Sequence, residues 1–278
     1  IMNMDLTDMT DVMMELIRDK EQNYGELVLD DRFLNNPAFA VAQCRELTAE
    51  MSEMSRYTLL DSLKLVGNYT EQGGKRIVSA EDEVDHFEDV LGTFMVKLSA
   101  RSLRMEDSRE ISRLLHCIGD FERISDHALN IKETAEEIQT KSIHFSGEAQ
   151  KEMDVLFDAV REIVNTAVDA FNRNDVSAAK RVEPLEAVID QLVDEMKSRH
   201  ITRLQKGSCT MLQGFVFSDL ITNCERVADH CSNIGIAIIE TAHNSFETHG
   251  YLNRLTASND EEYTALFADY ALKYNIDL

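Results

Sequence analysis

The chain has 278 residues, 44% of them hydrophobic, which is enough to bury the core of one large domain or of two related lobes. Acidic residues outnumber basic ones by 51 to 28, and the net charge of −23 repels a nucleic-acid backbone over most of the surface. The five cysteines form no CxxC pair, no apolar run has the length of a membrane span, and no signal peptide is visible. We therefore expect a cytoplasmic protein without a nucleic-acid partner.

The predicted elements are helices separated by short breaks, because 11 glycines and 2 prolines are too few for many strands and hairpins. Asn36-Pro37 predicts a helix start with proline at the first helical position. Gly73-Gly74, Ser146-Gly147 and Gly207-Ser208 predict breaks. The expected helices are 5–22, 38–70, 79–103, 108–140, 147–172, 175–204, 208–243 and 260–273.

Apolar residues recur every three or four positions within these helices and line one face of each. The pattern runs from Cys117 to Ile138 and again from Leu220 to Ile238. Helices with one apolar stripe pack into bundles, so an all-α bundle fold is expected.

An internal repeat divides the chain. The segment 120–127, DFERISDH, is matched by the segment 223–230, NCERVADH, at an offset of 103 residues. One helix earlier, Glu81 and Asp85 are matched 105 residues later. Three helices are therefore expected to be followed by three more, as two tandem three-helix bundles with extra terminal helices. The expected units are an N-terminal helix and linker at 1–37, the repeats at 38–143 and 144–245, and a C-terminal extension with a short helix at 246–278.

Acidic residues four positions apart occur in four helices and lie on one face of each helix. The pairs are Glu81/Asp85, Glu122/Asp126, Glu186/Asp190 and Glu225/Asp229. Like charges at this spacing destabilise an isolated helix by about 0.2–0.5 kcal/mol, so their recurrence in register needs a reason. Oxygen-rich sites suit Mg, Mn, Ca or iron, and an added imidazole admits iron or zinc.

Two features leave open the alternative that these acid pairs bind no metal. An acid pair in so acidic a chain is usually a solvated face, and Arg123 and Arg226 could each pair with neighbouring carboxylates. His127 and His230 directly follow the second acid of their pairs, so they point to another side of the helix and are doubtful ligands.

The repeated motif resembles the PhoU family of phosphate-uptake regulators, whose members have two three-helix repeats with Glu/Asp-x-x-x-Asp motifs. The resemblance covers about residues 38–243 and implies a regulatory protein, not an enzyme. Family members bind iron or zinc clusters on these motifs, so the resemblance implies metal ligands at the eight acids: Glu81, Asp85, Glu122, Asp126, Glu186, Asp190, Glu225 and Asp229. This sequence departs from the pattern at Asn223, which stands where the first repeat has Asp120.

The segment from Leu29 to Pro37 is similar to the opening of the PhoU-like domain that follows the membrane part of bacterial sodium–phosphate cotransporters. This resemblance, with a chain that begins at Ile1, implies a domain tethered to the inner face of the cell membrane. The implied partners are the membrane part of a phosphate transporter or other phosphate-uptake regulators, and a homo-oligomer stays open. A free-standing PhoU-like regulator of a phosphate importer is the alternative.

The sequence leaves two other function classes open. A carboxylate-bridged di-iron enzyme needs Glu-x-x-His on two helices. Glu83/His86 and Glu240/His243 have that spacing, but their counterparts in the other repeat lack it. A helical scaffold without metal is the remaining alternative.

Overall fold

A computed structural model describes residues 29–242 and 261–276, and within these residues the chain forms α-helices and one short 3₁₀ turn, with no strand. The all-α class is confirmed. The 3₁₀ turn spans Asp31–Asn35. The helices are α1 Pro37–Leu65, α2 Glu71–Ser99, α3 Met105–Thr140, α4 Gly147–Arg173, α5 Val176–Ala179, α6 Val182–Gln205, α7 Met211–Ala242 and α8 Glu261–Lys273. The predicted helix at 5–22 lies outside the described residues.

Two three-helix bundles follow one another along the chain. Helices α1, α2 and α3 form the first bundle, α4, α6 and α7 form the second, and the loop 141–146 lies between them. Helix α3 packs along α7, so the two bundles share one hydrophobic core that includes Phe121 and Cys224. None of the described helices is long and apolar enough to cross a membrane.

Buried ion pairs fix how the helices of the core meet. In the second bundle, Arg203 donates two hydrogen bonds of 2.8 Å to the two carboxylate oxygens of Glu152, which joins α6 to α4. Arg113 of α3 donates to Glu110 at 2.7 Å and to Asn174, just after α4, at 2.7 Å. Removing one partner of the Arg203–Glu152 pair leaves a buried charge unpaired, so this pair holds α6 against α4 within the second bundle. The hydrogen bond from Arg113 to Asn174 links α3 of the first bundle to the end of α4 in the second.

Gly73 and Gly74 do not break the chain as predicted but lie in the first turn of α2, which begins at Glu71. The side chain of Thr70 caps this helix by accepting a hydrogen bond from the Gly73 amide at 3.1 Å. A Cβ on Gly73 would lie 2.8 Å from Leu65 Cδ2, and one on Gly74 would lie 2.7 Å from the Tyr69 hydroxyl. The two glycines therefore allow the end of α1 and the loop to approach α2 closely.

The single helix predicted at 175–204 is two helices, α5 and α6, separated by Lys180 and Arg181. Asp175 caps α5, since its carboxylate accepts from the amides of two residues of that short helix. Pro184 lies in the first turn of α6, where the missing N–H would have had no partner within the helix.

Candidate metal centre

The second and third helices of each bundle carry the acidic pairs on facing surfaces. Helices α2 and α3 pack together in the first bundle, and α6 and α7 do so in the second. In each pair, the first helix contributes one Glu-x-x-x-Asp motif and the other helix contributes the second. Both repeats therefore place a four-carboxylate face between their second and third helices.

The first acid cluster consists of Glu81, Asp85 and Asp126, whose carboxylate oxygens lie within 4.8 Å of one another. Glu81 is buried, Asp126 is half-buried and Asp85 is exposed. Burial and then the charge of Asp85 raise the pKa of Glu81. Burial and then the charge of Asp126 raise the pKa of Asp85. The protein holds these like charges together at an energetic cost.

The second acid cluster consists of Glu186, Asp190 and Asp229, again with carboxylate oxygens within 4.8 Å of one another. All three residues are half-buried. Burial, followed by the charge of Asp190, raises the pKa of Glu186 to about 8. Burial and the charge of Asp229 likewise raise the pKa of Asp190. A proton or a metal ion at this cluster would relieve the repulsion.

Glu122 and Glu225, the other two predicted ligands, lie beside these clusters and not within them. Burial, followed by the charge of Asp126, raises the pKa of Glu122 to about 7. Glu225 accepts a hydrogen bond of 2.9 Å from Lys197. The structure therefore brings six of the eight predicted residues into two triads and leaves one glutamate at the edge of each.

Arg123 and Arg226 partly neutralise the negative charge of the acid clusters from the solvent side, a pairing that the sequence had left open. Arg123 lies 3.0 Å from Asp126, and Arg226 lies 3.0 Å from Asp229. Both arginine side chains are about three-fifths exposed, at 59% and 61%. Exposed pairs of this kind contribute at most about 1 kcal/mol, so they leave much of the repulsion in place.

The two histidines of the repeated motif lie away from the acid clusters, between α3 and α7. His127 and His230 stack with ring centroids 5.6 Å apart. His127 Nδ1 lies 2.9 Å from Asn223 Oδ1, and His230 Nδ1 lies 2.9 Å from Asp120 Oδ1. They join the two repeats and are not metal ligands in this arrangement.

The residues present fit a bound cation. Oxygen Oδ1 of Asp190 is buried and has no hydrogen-bond partner, although it belongs to the second acid cluster. A buried carboxylate oxygen without a donor is costly, and a cation placed among the three carboxylates would satisfy it. All-oxygen donors of this type suit iron and hard divalent ions.

The acidic motif extends further in the second repeat than the sequence analysis proposed. Glu183, three residues before Glu186, is hydrogen-bonded to the hydroxyl of Ser232. The spacing of Glu183, Glu186 and Asp190 along one helical face was a readable signal. No sequence signal pointed to Lys197, because its pairing with Glu225 depends on how α6 and α7 pack.

Both repeats of this chain are similar in sequence to known proteins. The family model of the PhoU domain matches residues 48–135 and again residues 154–238. The phosphate-specific transport system accessory protein PhoU homolog 1 of Thermotoga maritima is 26% identical over 212 residues, covering 73% of this chain and 90% of that protein. The accessory protein PhoU of Escherichia coli is 25% identical over 188 residues, covering 66% and 76%.

The fold also matches solved structures. The crystal structure of PhoU from Pseudomonas aeruginosa superimposes with a TM-score of 0.69 at 19% identity and covers 73% of this chain and 97% of that one. PhoU from Streptococcus pneumoniae superimposes with a TM-score of 0.65 at 14% identity. At these identities the likeness establishes the fold.

Proposed function

The chain belongs to the PhoU domain family, and from this premise we propose that it is a regulator of phosphate transport that carries a metal site in each repeat. The observation that carries the regulatory role is the match of both repeats to the family model. The curated relatives that it resembles are named as accessory proteins of phosphate-specific transport systems. The proposed role is accordingly regulatory and not enzymatic.

The proposed metal ligands are the first acid cluster with Glu122 and the second acid cluster with Glu225. The triads supply carboxylate oxygens that already lie within 4.8 Å of one another. Iron or zinc is the proposed occupant, as the family resemblance implies, and the all-oxygen donors also admit Mg, Mn or Ca. A bound cation would supply positive charge and hold the facing helices together.

Binding of a metal ion between the facing helices would change the surface that they present to a partner. Without a cation, the acids of α2 and α3, and those of α6 and α7, repel across the helix interface. With a cation, part of the net charge of −23 is cancelled and the third helices are fixed to the second. Such states differ in the surface that they present, so a partner could bind one in preference to the other.

Metal analysis of protein purified without chelators and without an affinity metal column tests the metal sites. We expect iron or zinc in the wild type and its loss from the second repeat in the variant Glu225→Ala/Asp229→Ala, with the helix content retained. The matched variant Arg226→Ala, which removes the exposed arginine beside Asp229, should keep the metal. Unchanged stoichiometry in the double variant would exclude those two residues as ligands.

Deletion of the coding segment in its host tests the regulatory role. We expect phosphate accumulation to change when the segment is removed and to return when the wild-type chain is supplied. A deletion that leaves phosphate uptake and phosphate-responsive gene expression unchanged would argue against a regulatory role in phosphate transport.

The partner of this regulator is one of two kinds. The named relatives favour a free-standing regulator of a phosphate importer. The resemblance of Leu29 to Pro37 favours the domain that follows the membrane part of a sodium–phosphate cotransporter. The reading frame upstream of Ile1 separates them, because only the second alternative requires membrane spans encoded there. Finding none would leave the free-standing regulator.

The di-iron enzyme has little structural support. His86 is exposed on α2, and His243 lies outside the described residues. Oxygen consumption by protein loaded with ferrous iron tests this alternative, and we expect none above that of free iron.

A further inference from the structure

An apolar surface lies at the turn between α6 and α7. Of the nine large apolar side chains that are exposed among the described residues, four lie here, and we call them the apolar tip: Ile201, Met211, Leu212 and Phe215. Their exposed fractions are 55%, 65%, 42% and 64% in that order. Single exposed apolar residues are ordinary, whereas a group of them on one surface indicates a binding site for a partner.

Helix geometry places these side chains on one side of the α6–α7 pair. His200 and Phe217 stack across the pair with ring centroids 5.1 Å apart, and a Cβ on Gly214 would lie 2.7 Å from His200 Nε2. Ile201 and Phe215 directly follow His200 and Gly214, so each is turned by about 100° from this contact. Because the two helices run antiparallel, equal turns bring both side chains to the same outer side.

The core beneath the apolar tip makes its contacts without it. Phe217 is 1% exposed and is covered by His200 and by the guanidinium of Arg203, which lies 5.3 Å from its ring centroid. Arg203 is in turn hydrogen-bonded to Glu152 of α4. The buried side chains are thus satisfied by one another, and the apolar tip faces solvent.

The first repeat has the same helices without most of these apolar residues. The three tip residues of α7 have polar counterparts in α3, 103 positions earlier: Ser108, Arg109 and Ser112. On α2, the counterpart of Ile201 is Val96, which is also apolar. Since both repeats match one family model, the bundle does not require apolar residues at these positions of the third helix. Their apolar character is a property of the second repeat and favours a binding role there.

Acidic side chains border the apolar tip. Asp194 lies seven residues before Ile201 on α6, and Asp219 lies four residues after Phe215 on α7, so each shares a helix face with its apolar neighbour. Both aspartates are exposed. A partner that covers the tip therefore meets negative charge at its edges, in a chain whose net charge is already −23.

The apolar tip is separate from the second acid cluster. Ile201 lies 11 residues beyond Asp190 on α6, which is about 16 Å along the helix axis. A partner bound at the tip is thus recognised by the tip's own apolar and acidic side chains, whatever occupies the acid cluster.

We propose that the apolar tip, with Asp194 and Asp219 at its edges, binds a helical segment of a partner that has apolar side chains on one face and lysine or arginine beside them. Such a helix buries its apolar face on the tip, while its cations meet the two carboxylates. Cytoplasmic segments of membrane proteins have this chemistry, because lysine and arginine are enriched beside their membrane spans. The choice of a membrane protein as the source of the segment rests on the regulatory role in phosphate transport proposed above. A second copy of this chain fits less well, since a symmetric contact would bring these acids together.

Two synthetic peptides test this surface on the full chain. The first is a helix about five turns long made of leucine and lysine, with the leucines on one face, and the second has glutamate in place of every lysine. We expect the leucine–lysine peptide to bind with a Kd of about 10 μM by fluorescence anisotropy in physiological salt. The leucine–glutamate peptide should bind at least about tenfold more weakly, because its charge matches that of the protein.

Variants locate the bound peptide. Met211→Ser/Phe215→Ser installs the residues that the first repeat has at these positions and should weaken binding about tenfold, because buried apolar anchors supply most of the affinity. Met105→Ser, which alters a methionine that is 70% exposed on the first repeat, should leave binding unchanged. Asp194→Asn/Asp219→Asn should weaken binding about threefold and reduce its dependence on salt. A leucine–lysine peptide that fails to bind, or that binds Met211→Ser/Phe215→Ser as tightly as the wild type, would overturn the proposal.

Two measurements complete the test. In wild-type protein with methyl-labelled methionine, the peptide should shift the NMR signal of Met211 and leave that of Met105 in place, and this readout needs no variant to fold. An unmoved Met211 signal would exclude the tip as the binding surface. Sedimentation should show the same oligomeric state for the wild type and for Met211→Ser/Phe215→Ser. A wild-type dimer that this variant dissociates would show that a second copy covers the tip, which would replace the proposed partner.

Phosphate accumulation in the host separates this inference from the regulatory role. Supplied in place of the wild type, Met211→Ser/Phe215→Ser should reproduce the effect of deleting the coding segment. If the deletion alters accumulation while this variant behaves as the wild type, the regulatory role stands and the tip is not its docking surface. If the deletion has no effect, the regulatory role is wrong, and the peptide measurements alone decide whether the tip binds a basic amphipathic helix.

Discussion

The two acid clusters occupy matching places in the two repeats, but single residues outside the repeated motif give them different surroundings. In the second repeat, Lys197 lies 2.9 Å from Glu225, and the matching position of the first repeat is Gly92. Among the residues that the structure describes, Glu122 is instead paired with Arg123, which lies 3.2 Å away and is 59% exposed. The duplication preserved the arrangement of carboxylates, whereas local substitutions changed how each cluster is neutralised.

Burial accentuates the difference. Asp85 of the first acid cluster is exposed, whereas all three members of the second are half-buried. The pKa of Glu122 is raised to about 7 and that of Glu186 to about 8, in both cases first by burial. The second acid cluster thus contains the carboxyl that holds a proton to higher pH when metal is absent.

The largest expected effect is on the pH dependence of stability in metal-free protein. A carboxyl whose folded pKa exceeds its unfolded value of 4.5 favours the folded state at low pH, and this contribution is lost as pH rises through the folded pKa. We expect the melting temperature to fall by about 5 °C between pH 6.5 and 8.5. Below that window, the lowered pKa of His127 and of His200 acts in the opposite direction.

Substitutions in each repeat show how much of the fall in melting temperature comes from that repeat. Above pH 7, Glu186→Gln should reduce the fall in melting temperature more than Glu122→Gln does, because the pKa of Glu186 is the higher of the two. Saturating zinc should also remove the fall, since the cation compensates the ionised carboxylates. Melting curves that are independent of pH between 6.5 and 8.5 in the chelated wild type would contradict the raised pKa values.

A lysine transplanted into the first repeat should make it resemble the second. A Cβ on Gly92 would lie 3.6 Å from Ile118 Cδ1 and 3.7 Å from Glu88 Oε1, which are ordinary contact distances. Gly92→Ala and Gly92→Lys should both stabilise α2 by about 1 kcal/mol, because both remove a glycine from the helix interior. Only the lysine should weaken metal binding at the first acid cluster, by about tenfold, through competition for the carboxylates. Equal metal affinity in the two variants would show that a cation at this position does not compensate Glu122.

The reciprocal change removes the lysine of the second repeat. Lys197→Met keeps much of the side-chain volume and deletes the partner of Glu225. Metal-free protein should lose about 0.5 kcal/mol, because the pair is partly exposed, and zinc should bind the second acid cluster about threefold more tightly. Isothermal titration of the variant and of Lys197→Arg, which retains the charge, measures the difference. Weaker zinc binding in Lys197→Met would mean that Lys197 supports the site and does not compete with the cation.

Repetition made the acid pairs predictable from sequence, because Glu122 and Asp126 recur as Glu225 and Asp229 at one offset. The apolar periodicity likewise predicted the bundle helices. Gly73 and Gly74 were misassigned, since glycine serves both to break a helix and to let another segment approach it, and sequence alone does not distinguish these uses. Lys197 was missed for a different reason, because only the packing of α6 against α7 brings it to Glu225.

The smallest expected effect concerns the contact between the repeats, where the two copies again differ by one residue. His230 is paired with the carboxylate of Asp120, which also accepts a hydrogen bond from Asn233 at 3.1 Å, whereas His127 is paired with the neutral Asn223. Asp120→Asn makes the two pairings alike and should cost about 0.5 kcal/mol, since a charge-assisted hydrogen bond becomes a neutral one.

The converse substitution, Asn223→Asp, places a carboxylate beside His127, whose pKa is lowered by burial. The new negative charge favours the imidazolium, so the pKa of His127 should rise, and NMR titration of its ring protons measures this directly. The double variant Asp120→Asn/Asn223→Asp exchanges the two environments and should keep nearly the wild-type stability while raising the pKa of His127. A titration of His127 that does not move in either variant would show that the Asn223 side chain does not face the imidazole, and that the histidine stack joins the repeats through ring packing alone.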